Sequence, residues 1–322
     1  MNVLITGITG FAGSHLADYI LANHRDVKVF GTMRHRSRTE NIEQLKGKAE
    51  FIECDLTDYT ATKRAIDIAT PSRIFHLAAN SYVPDSWKMP AEVLYNNIVS
   101  QTNLFEAVRD SKFCKRFGTR IQIAGSSEEY GLVKSNEVPI NELNEIRPLS
   151  AYGVSKVAQD FLGYQYCQSY GMKIIRTRAF NHTGPRRGEM FVCSTFAKQI
   201  AEIENGSKDG FIQVGNLEAL RDFTDVRDMV RAYWQILDKG KFGDVYNIGS
   251  GKMRTMREVL DMLLALSSFR IEKVIDVNRL RPSDVEILVC DNTKLCKLTG
   301  WKPEIEFKQT LQDLLDYWRR RV

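Results

Sequence analysis

The 322-residue chain carries 45 Lys and Arg against 40 Asp and Glu, a formal charge of +5, and is 43% hydrophobic and 26% charged. These proportions exclude a disordered chain, a fibre and a disulfide-stapled miniprotein, and the length is ample for a large core or two sharing one interface. A surplus of five charges fits a basic pocket for an anionic ligand better than a surface that coats nucleic acid, although composition alone does not choose.

The first half alternates strand and helix. Apolar runs at 2–5, 27–30, 50–52, 73–77, 120–123 and 173–176 read as strands, and stretches of helical period such as 13–23 and 97–110 lie between them. That alternation predicts an α/β fold, a doubly wound parallel sheet with right-handed crossovers and helices on both faces. After residue 180 the alternation becomes irregular and Gly, Pro and Asn carry more of the chain. The expected division is a dinucleotide-binding domain over 1–178 and an interleaved, smaller substrate-binding lobe over 179–322. A strand and helix around 220–245 are expected to return to the first domain.

The first strand runs into Gly7-Ile8-Thr9-Gly10-Phe11-Ala12-Gly13, which opens the first helix. Glycines at this spacing permit a tight turn and bring backbone N–H groups, at the positive end of a helix, close to a pyrophosphate. The flanking strand and helix make Gly7, Gly10, Phe11 and Gly13 candidates for a dinucleotide cradle. The second strand ends in Arg34-His35-Arg36-Ser37-Arg38 rather than in the acidic residue that holds a ribose 2′-OH. Arg34 and Arg36 favour the extra 2′-phosphate of NADP, with NAD as the second choice; the competing explanation is a solvated basic loop. Asp55 and Leu56, after the third strand, are expected at the adenine edge, with Leu77 and Ala79, after the fourth, beside the cofactor backbone.

Tyr152 and Lys156 stand four residues apart, on one helical face. A lysine ammonium stabilises a phenolate, which makes Tyr152 a workable proton acceptor. Alone, such a pair is common on exposed helices, but Gly125-Ser126-Ser127-Glu128-Glu129-Tyr130-Gly131 follows the strand at 120–123, where an open parallel sheet places its ligand crevice.

Taken in order, the GxxGxxG loop, Leu77-Ala78-Ala79, the serine-rich segment ending in Tyr130-Gly131, and Tyr152/Lys156 resemble an extended short-chain dehydrogenase/reductase acting on nucleotide sugars, over nearly the whole chain. The resemblance implies that Ser126 hydrogen-bonds the sugar 4-oxygen, that Tyr152 moves the 4-OH proton, and that Lys156 also holds the nicotinamide ribose. Pro185-Arg186-Arg187-Gly188-Glu189, Gly215-Asn216-Leu217-Glu218-Ala219 and Arg281-Pro282-Ser283-Asp284 are similar to segments of the GDP-mannose 4,6-dehydratase and GDP-4-keto-6-deoxy-mannose reductase branch. It implies a GDP-sugar substrate, with Ser81, Asn181, Lys198, Arg221, Arg281 and Asp284 among its contacts. Two or three cations around a diphosphate are electrostatically reasonable.

Within that branch, Glu128 stands at the position of the dehydratase glutamate, where a carboxylate would take the C5 proton and then protonate the departing C6 hydroxyl. The first expectation is therefore a GDP-mannose 4,6-dehydratase. The alternatives are the reductase, which needs only Ser126, Tyr152 and Lys156, or a 4-dehydrogenase or epimerase of a related GDP-sugar. Against the dehydratase pattern, Phe11-Ala12 replaces Gln-Asp, Ser126 replaces Thr, and Tyr152-Gly153-Val154-Ser155-Lys156 replaces Tyr-Ala-Val-Ala-Lys. From other classes, a cofactor-binding regulator is disfavoured by the intact Ser126/Tyr152/Lys156 set, and a nucleic-acid binder by the lack of a continuous basic stripe.

The six cysteines are scattered with no CxxC pair, so no metal site is expected. There is no basic leader before a long apolar region and no apolar run of about twenty residues. The expectation is a cytoplasmic enzyme without membrane contact, and the resemblance implies a homodimer or homotetramer.

Overall fold

The computed structural model of the protein describes residues 1–279, 285 and 287–322. Its first half runs β1 (Asn2–Thr6), α1 (Phe11–Asn23), β2 (Lys28–Met33), β3 (Ala49–Glu53), α2 (Tyr59–Ala69), β4 (Arg73–His76), α3 (Val83–Lys88), α4 (Pro90–Asp110), α5 (Lys112–Phe117), β5 (Arg120–Ser126), α6 (Ala151–Tyr170) and β6 (Lys173–Ala179). There follow β7 (Asn181–Thr183), α7 (Val192–Glu204), β8 (Phe211–Val214), β9 (Leu220–Asp225), α8 (Val226–Lys239) and β10 (Val245–Ile248). The chain then forms β11 (Met253–Thr255), α9 (Met256–Leu264), β12 (Glu272–Ile275), β13 (Ile287–Leu288), α10 (Thr293–Thr299) and α11 (Phe307–Arg319).

Seven strands form one parallel sheet in the order β3-β2-β1-β4-β5-β6-β10, the doubly wound α/β architecture expected. Its strands read as apolar runs because both faces are covered. Along β1, Val3 and Ile5 join the core beneath α1 and α8, whereas Leu4 joins the core beneath α2, α4 and α6. The strands outrun their apolar signals. β5 and β6 remain paired through Ala124 with Thr177, Gly125 with Arg178 and Ser126 with Ala179, so backbone bonds extend them where the side chains turn small or polar. That extension delivers Ser126 to the rim of the sheet.

The strand order reverses direction on either side of β1, with the chain crossing from β3 back to β4. Such a switch point leaves a crevice at the carboxyl ends of the strands, where α/β proteins bind ligands. Beyond β6 the chain leaves this sheet and comes back: α8 packs against α1, and β10 extends the sheet alongside β6. Between and after these returns lies a second lobe. β9 pairs with β7 and β13 in parallel and with β11 antiparallel, β8 pairs with β12, and α7, α9 and α11 share a core around Ile200, Leu260 and Leu311. Among the described residues, no helix is long and apolar enough to cross a membrane.

One carboxylate ties this lobe together. Asp222 on β9 is fully buried and accepts the N–H groups of Ser250 (2.9 Å), Gly251 (2.8 Å) and Cys290 (3.2 Å) and the Ser250 hydroxyl. Breaking such a buried, charge-assisted set strands its donors. Asp222→Ala is expected to cost about 3–5 kcal/mol, read as a lower urea midpoint with an unchanged dependence of stability on urea.

Candidate active site

The crevice is a cavity of about 820 Å³ between the sheet rim and the second lobe. Its floor begins with the glycine loop. Gly7 has φ +71°, and a Cβ on Gly13 would lie 2.3 Å from the Gly7 carbonyl oxygen, so the turn closes only with glycine there. Gly10 is the N-cap of α1 and supplies no capping side chain, and the first turn carries no acidic residue. The helix therefore presents uncapped N–H groups to the cavity, which suits an anionic diphosphate. Gly7, Gly10, Phe11, Gly13, Asp55, Leu56, Leu77 and Ala79 all line it together, as does Arg34. Arg36 does not: it is exposed, with φ +61°, and the chain turns there so that Ser37 faces the cavity instead. Asp55 is committed partly to its own turn, accepting the N–H (2.9 Å) and hydroxyl (2.8 Å) of Thr57.

The polar centre lies where β5 meets α6. The Ser150 hydroxyl accepts the Gly153 N–H at 3.0 Å and so caps α6, which sets Tyr152 in the helix's first turn. Ser126 follows Gly125 at the end of β5 and accepts the Glu128 N–H at 3.2 Å. Tyr152 lies beside it on the cavity wall. Lys156, one turn along α6, donates to the Ala124 carbonyl at 2.8 Å with its ammonium 5.9 Å from the Tyr152 ring centroid. Ser126, Glu128, Tyr152 and Lys156 all line the cavity.

Burial dominates the electrostatics. It pushes the Tyr152 phenol above its ordinary range; Ser126 and Arg187 pull it down, and Glu128 and Glu129 push it further up. Burial also lowers Lys156 to about 8, with Glu129 opposing that fall. At neutral pH the cavity floor thus holds a neutral phenol beside a lysine that keeps its charge at a cost.

Two unusual residues of α6 have a physical account. A Cβ on Gly153 would come within 2.8 Å of the Glu128 carbonyl oxygen and 3.0 Å of Pro148 Cβ, so glycine lets the helix approach the 127–129 turn. Ser155 donates to the Tyr152 carbonyl at 2.7 Å and accepts from Asn97 Nδ2 at 2.9 Å, tying α6 to α4.

Ser81, Asn181 and Arg221 also line the cavity. Lys198 does not line it. The ammonium pairs with Glu189, lies 3.6 Å from Glu202 and sits 5.5 Å from the Trp318 ring, whereas Thr195 and Phe196 of the same helix do line the cavity. Arg281 and Asp284 lie outside the described residues. The cation that occupies the wall near Tyr152 is Arg187, the second arginine of the Pro-Arg-Arg-Gly-Glu motif. The guanidinium packs 3.5 Å from the Phe191 ring centroid and 4.9 Å from that of Phe11, and burial lowers it to about 10. No carboxylate among the described residues pairs with it. Phe11, which departs from the dehydratase pattern, also stacks on His182 at 5.8 Å. The adjacent arginines of the Pro-Arg-Arg run were the available signal: Arg186 is spent on Asp18 of α1, and Arg187 is left facing the ligand space.

A glycine cradle and a Ser-Tyr-Lys centre at the switch point of a parallel sheet define an extended short-chain dehydrogenase/reductase. Residues 4–314 match the family model described as GDP-mannose 4,6 dehydratase, and the chain belongs to that family. It is similar to the GDP-6-deoxy-D-mannose reductase of Pseudomonas aeruginosa, with 32% identity over 100% of this chain and 98% of that protein. It is also similar to the GDP-mannose 4,6-dehydratase of Yersinia enterocolitica, with 31% identity over 98% of this chain and 92% of the other. Among solved structures, RMD from Pseudomonas aeruginosa complexed with NADPH superposes with a TM-score of 0.86 at 30% identity, covering 100% of both chains. A UDP-glucose 4-epimerase with UDP-glucose from Thermotoga maritima gives a TM-score of 0.87 at 28% identity, covering 99% of both.

Lys156 has a measurable stability signature. Holding the buried ammonium at about 8 against 10.5 in the unfolded chain costs roughly 3 kcal/mol at neutral pH. That cost is full below pH 8 and fades as pH rises to 10.5, because the unfolded chain binds the proton more tightly. Lys156→Met should therefore stabilise the fold near pH 7, by up to about 3 kcal/mol, with the gain shrinking between pH 8 and 10; chemical denaturation across that range checks it.

Proposed function

We propose that the protein exchanges a hydride and a proton at C4 of the hexose of a GDP-sugar, using NADP, and that its complete reaction is reduction of GDP-4-keto-6-deoxy-mannose. The observation that carries this reading is the buried, neutral Tyr152, sharing the cavity wall with Ser126 at the end of β5 and standing one turn from Lys156. Ser126 would hold the C4 oxygen, and Tyr152 would donate its proton to that oxygen as the carbonyl carbon is reduced. The phenolate left behind is stabilised by the Lys156 ammonium and by Arg187. Bound NADPH would supply the hydride. Its diphosphate suits the uncapped N-terminus of α1, and Arg34 suits a 2′-phosphate. Asn181, Arg221 and Arg187 would take the sugar-nucleotide diphosphate. A relative named a reductase that matches over 98% of its length, and a solved relative complexed with NADPH, support this direction.

A second reading rests on Glu128. Its carboxylate belongs to the same cavity and raises the Tyr152 phenol, so it is near enough to act as a second acid/base. In that reading GDP-mannose would be oxidised at C4, its O4 proton passing to Tyr152 and its hydride to NADP; Glu128 would take the C5 proton and give it to the departing C6 hydroxyl, and the hydride would return to C6 as Tyr152 gives its proton to C5. The relatives named dehydratases support it. A homodimer is supported by the family resemblance and by the apolar stripe Val154, Phe161 and Tyr164 on α6, exposed beside Tyr95 of α4.

Pure protein with GDP-4-keto-6-deoxy-mannose and NADPH should consume NADPH, whereas GDP-mannose with NADP should show no loss of water by mass spectrometry. Water loss that disappears in Glu128→Gln would transfer the assignment to the dehydratase. For the cofactor, Arg34→Ala should weaken NADP binding about 10- to 100-fold with NAD affinity unchanged, and Arg36→Ala should change neither by more than about twofold. Equal NADP affinity in wild type and Arg34→Ala would make both arginines part of a solvated loop.

A further inference from the structure

Beneath the cavity floor runs a buried chain of charges that takes no part in the steps above. Glu129 follows Glu128 but points the other way, into the protein, and is fully buried. Its Oε1 accepts the Ser126 N–H at 2.8 Å, and its Oε2 accepts from Arg178 Nε at 3.0 Å. Arg178, on β6, is 4% exposed and also donates to Asp160 Oδ2 and, at 3.0 Å, to the Tyr130 hydroxyl. Asp160 lies on α6 four residues beyond Lys156, and its other oxygen accepts from Arg176 Nη1 at 2.9 Å. Tyr130 in turn donates to Asn247 of β10 at 2.7 Å.

The two ends of this chain are the backbone of Ser126 and the helix that carries Tyr152 and Lys156. Buried ion pairs of this kind are poor sources of stability, since apolar residues of similar volume do as well or better. What they supply is direction. Each bond here has a fixed donor and acceptor, so β5, β6 and α6 cannot slide past one another without stranding a charge. The surroundings are shaped to accept the carboxylate: a Cβ on Gly125 would fall 2.4 Å from Glu129 Oε1, so the residue before Ser126 must be glycine while Glu129 holds its place.

We propose that Glu129 is a positioning residue for the C4 chemistry, holding Ser126 through its N–H and, by way of Arg178 and Asp160, fixing the distance from Ser126 to the Tyr152/Lys156 helix. This rests on Ser126, Tyr152 and Lys156 being the reacting centre, as proposed above. Glu129 touches no substrate. The requirement it meets is geometric, because misplacement of a reacting group by about 1 Å can cost on the order of 10²-fold in rate.

Two variants test the role. Glu129→Leu combined with Arg178→Met removes both charges, so that neither remains unpaired. It should fold with a thermal midpoint near that of the wild type and bind NADPH within about twofold of it, with KM changed by less than about threefold and kcat lower by about 10²-fold. Wild-type kcat in the folded double variant, or a loss confined to KM, overturns the proposal. Should the double variant fail to fold, Glu129→Gln keeps an acceptor for Ser126 while removing the charge that grips Arg178. Its kcat should fall at least about tenfold at unchanged KM, and wild-type kcat overturns the proposal equally. Amide hydrogen exchange separates this from the reading of the reaction. Even if the wild type turns over neither sugar, residues 124–130 should exchange at least about tenfold faster in either variant while residues 161–170 of α6 keep their wild-type protection. Unchanged exchange at 124–130 means that Glu129 does not hold Ser126.

Discussion

The pairing of β1 with β4 is the constraint from which the rest of the site follows. At this junction the chain leaves two adjacent parallel strands in opposite directions, and the gap between the departing loops is the ligand space. Thr6 secures the junction by accepting the N–H groups of Leu77 (3.1 Å) and Ala78 (3.2 Å) on its hydroxyl and bonding His76 Nδ1 at 2.9 Å. Gly7 lies so close to Ala78 that a Cβ would fall 2.9 Å from its Cα. The glycine cradle on one side and Leu77 to Ala79 on the other are therefore two walls of one closure, and Ser126 reaches the same rim because β5 is built alongside β4.

A second constraint is the burial of the polar centre. Tyr152 and Lys156 are on one face of α6, aimed at the sheet rather than at water, and desolvation acts on them in opposite senses: it favours the phenol and disfavours the ammonium. Their proton affinities, nearly equal in water, are thereby driven apart, so that Tyr152 holds its proton while Lys156 keeps its charge only at a cost. In the proposed reaction, the cation kept beside the phenol is what stabilises the phenolate once its proton has passed to a sugar oxygen. The structure gives up stability at Lys156 to obtain this, in keeping with the general conflict between stable cores and charged active sites.

Much of this was legible in the residues. The period of the apolar runs located the six strands of the first half, because strands covered on both faces must be apolar throughout. Gly7, Gly10 and Gly13 were legible because their spacing encodes a backbone conformation, and Tyr152/Lys156 because four residues make a helical turn. The reading reached less far where the relevant partner is distant in sequence. The family resemblance implies a ligand contact for Lys198, but its ammonium is taken by Glu189 and lies 3.6 Å from Glu202. Arg36 shares a run with Arg34, yet a residue with φ +61° turns the chain and separates them. Arg187 could be singled out only once Arg186 was seen to be paired with Asp18, 168 residues away. Glu129 was hidden for the same reason. Adjacent glutamates read alike in sequence, and only the position of Arg178 tells the buried one from the one in the cavity.

Arg187 has a kinetic consequence. With no carboxylate among the described residues to neutralise it, the guanidinium contributes an open positive field at the wall of a low-dielectric cleft, in line with Arg34 and the uncapped end of α1. A polyanionic ligand is then drawn in before it makes any specific contact, so its capture is sensitive to ionic strength: the field extends only about 8 Å at physiological salt. Release faces the same field in reverse. The slow step of a turnover cycle in such a cleft can therefore lie in the departure of the nucleotide product rather than in the transfer at C4.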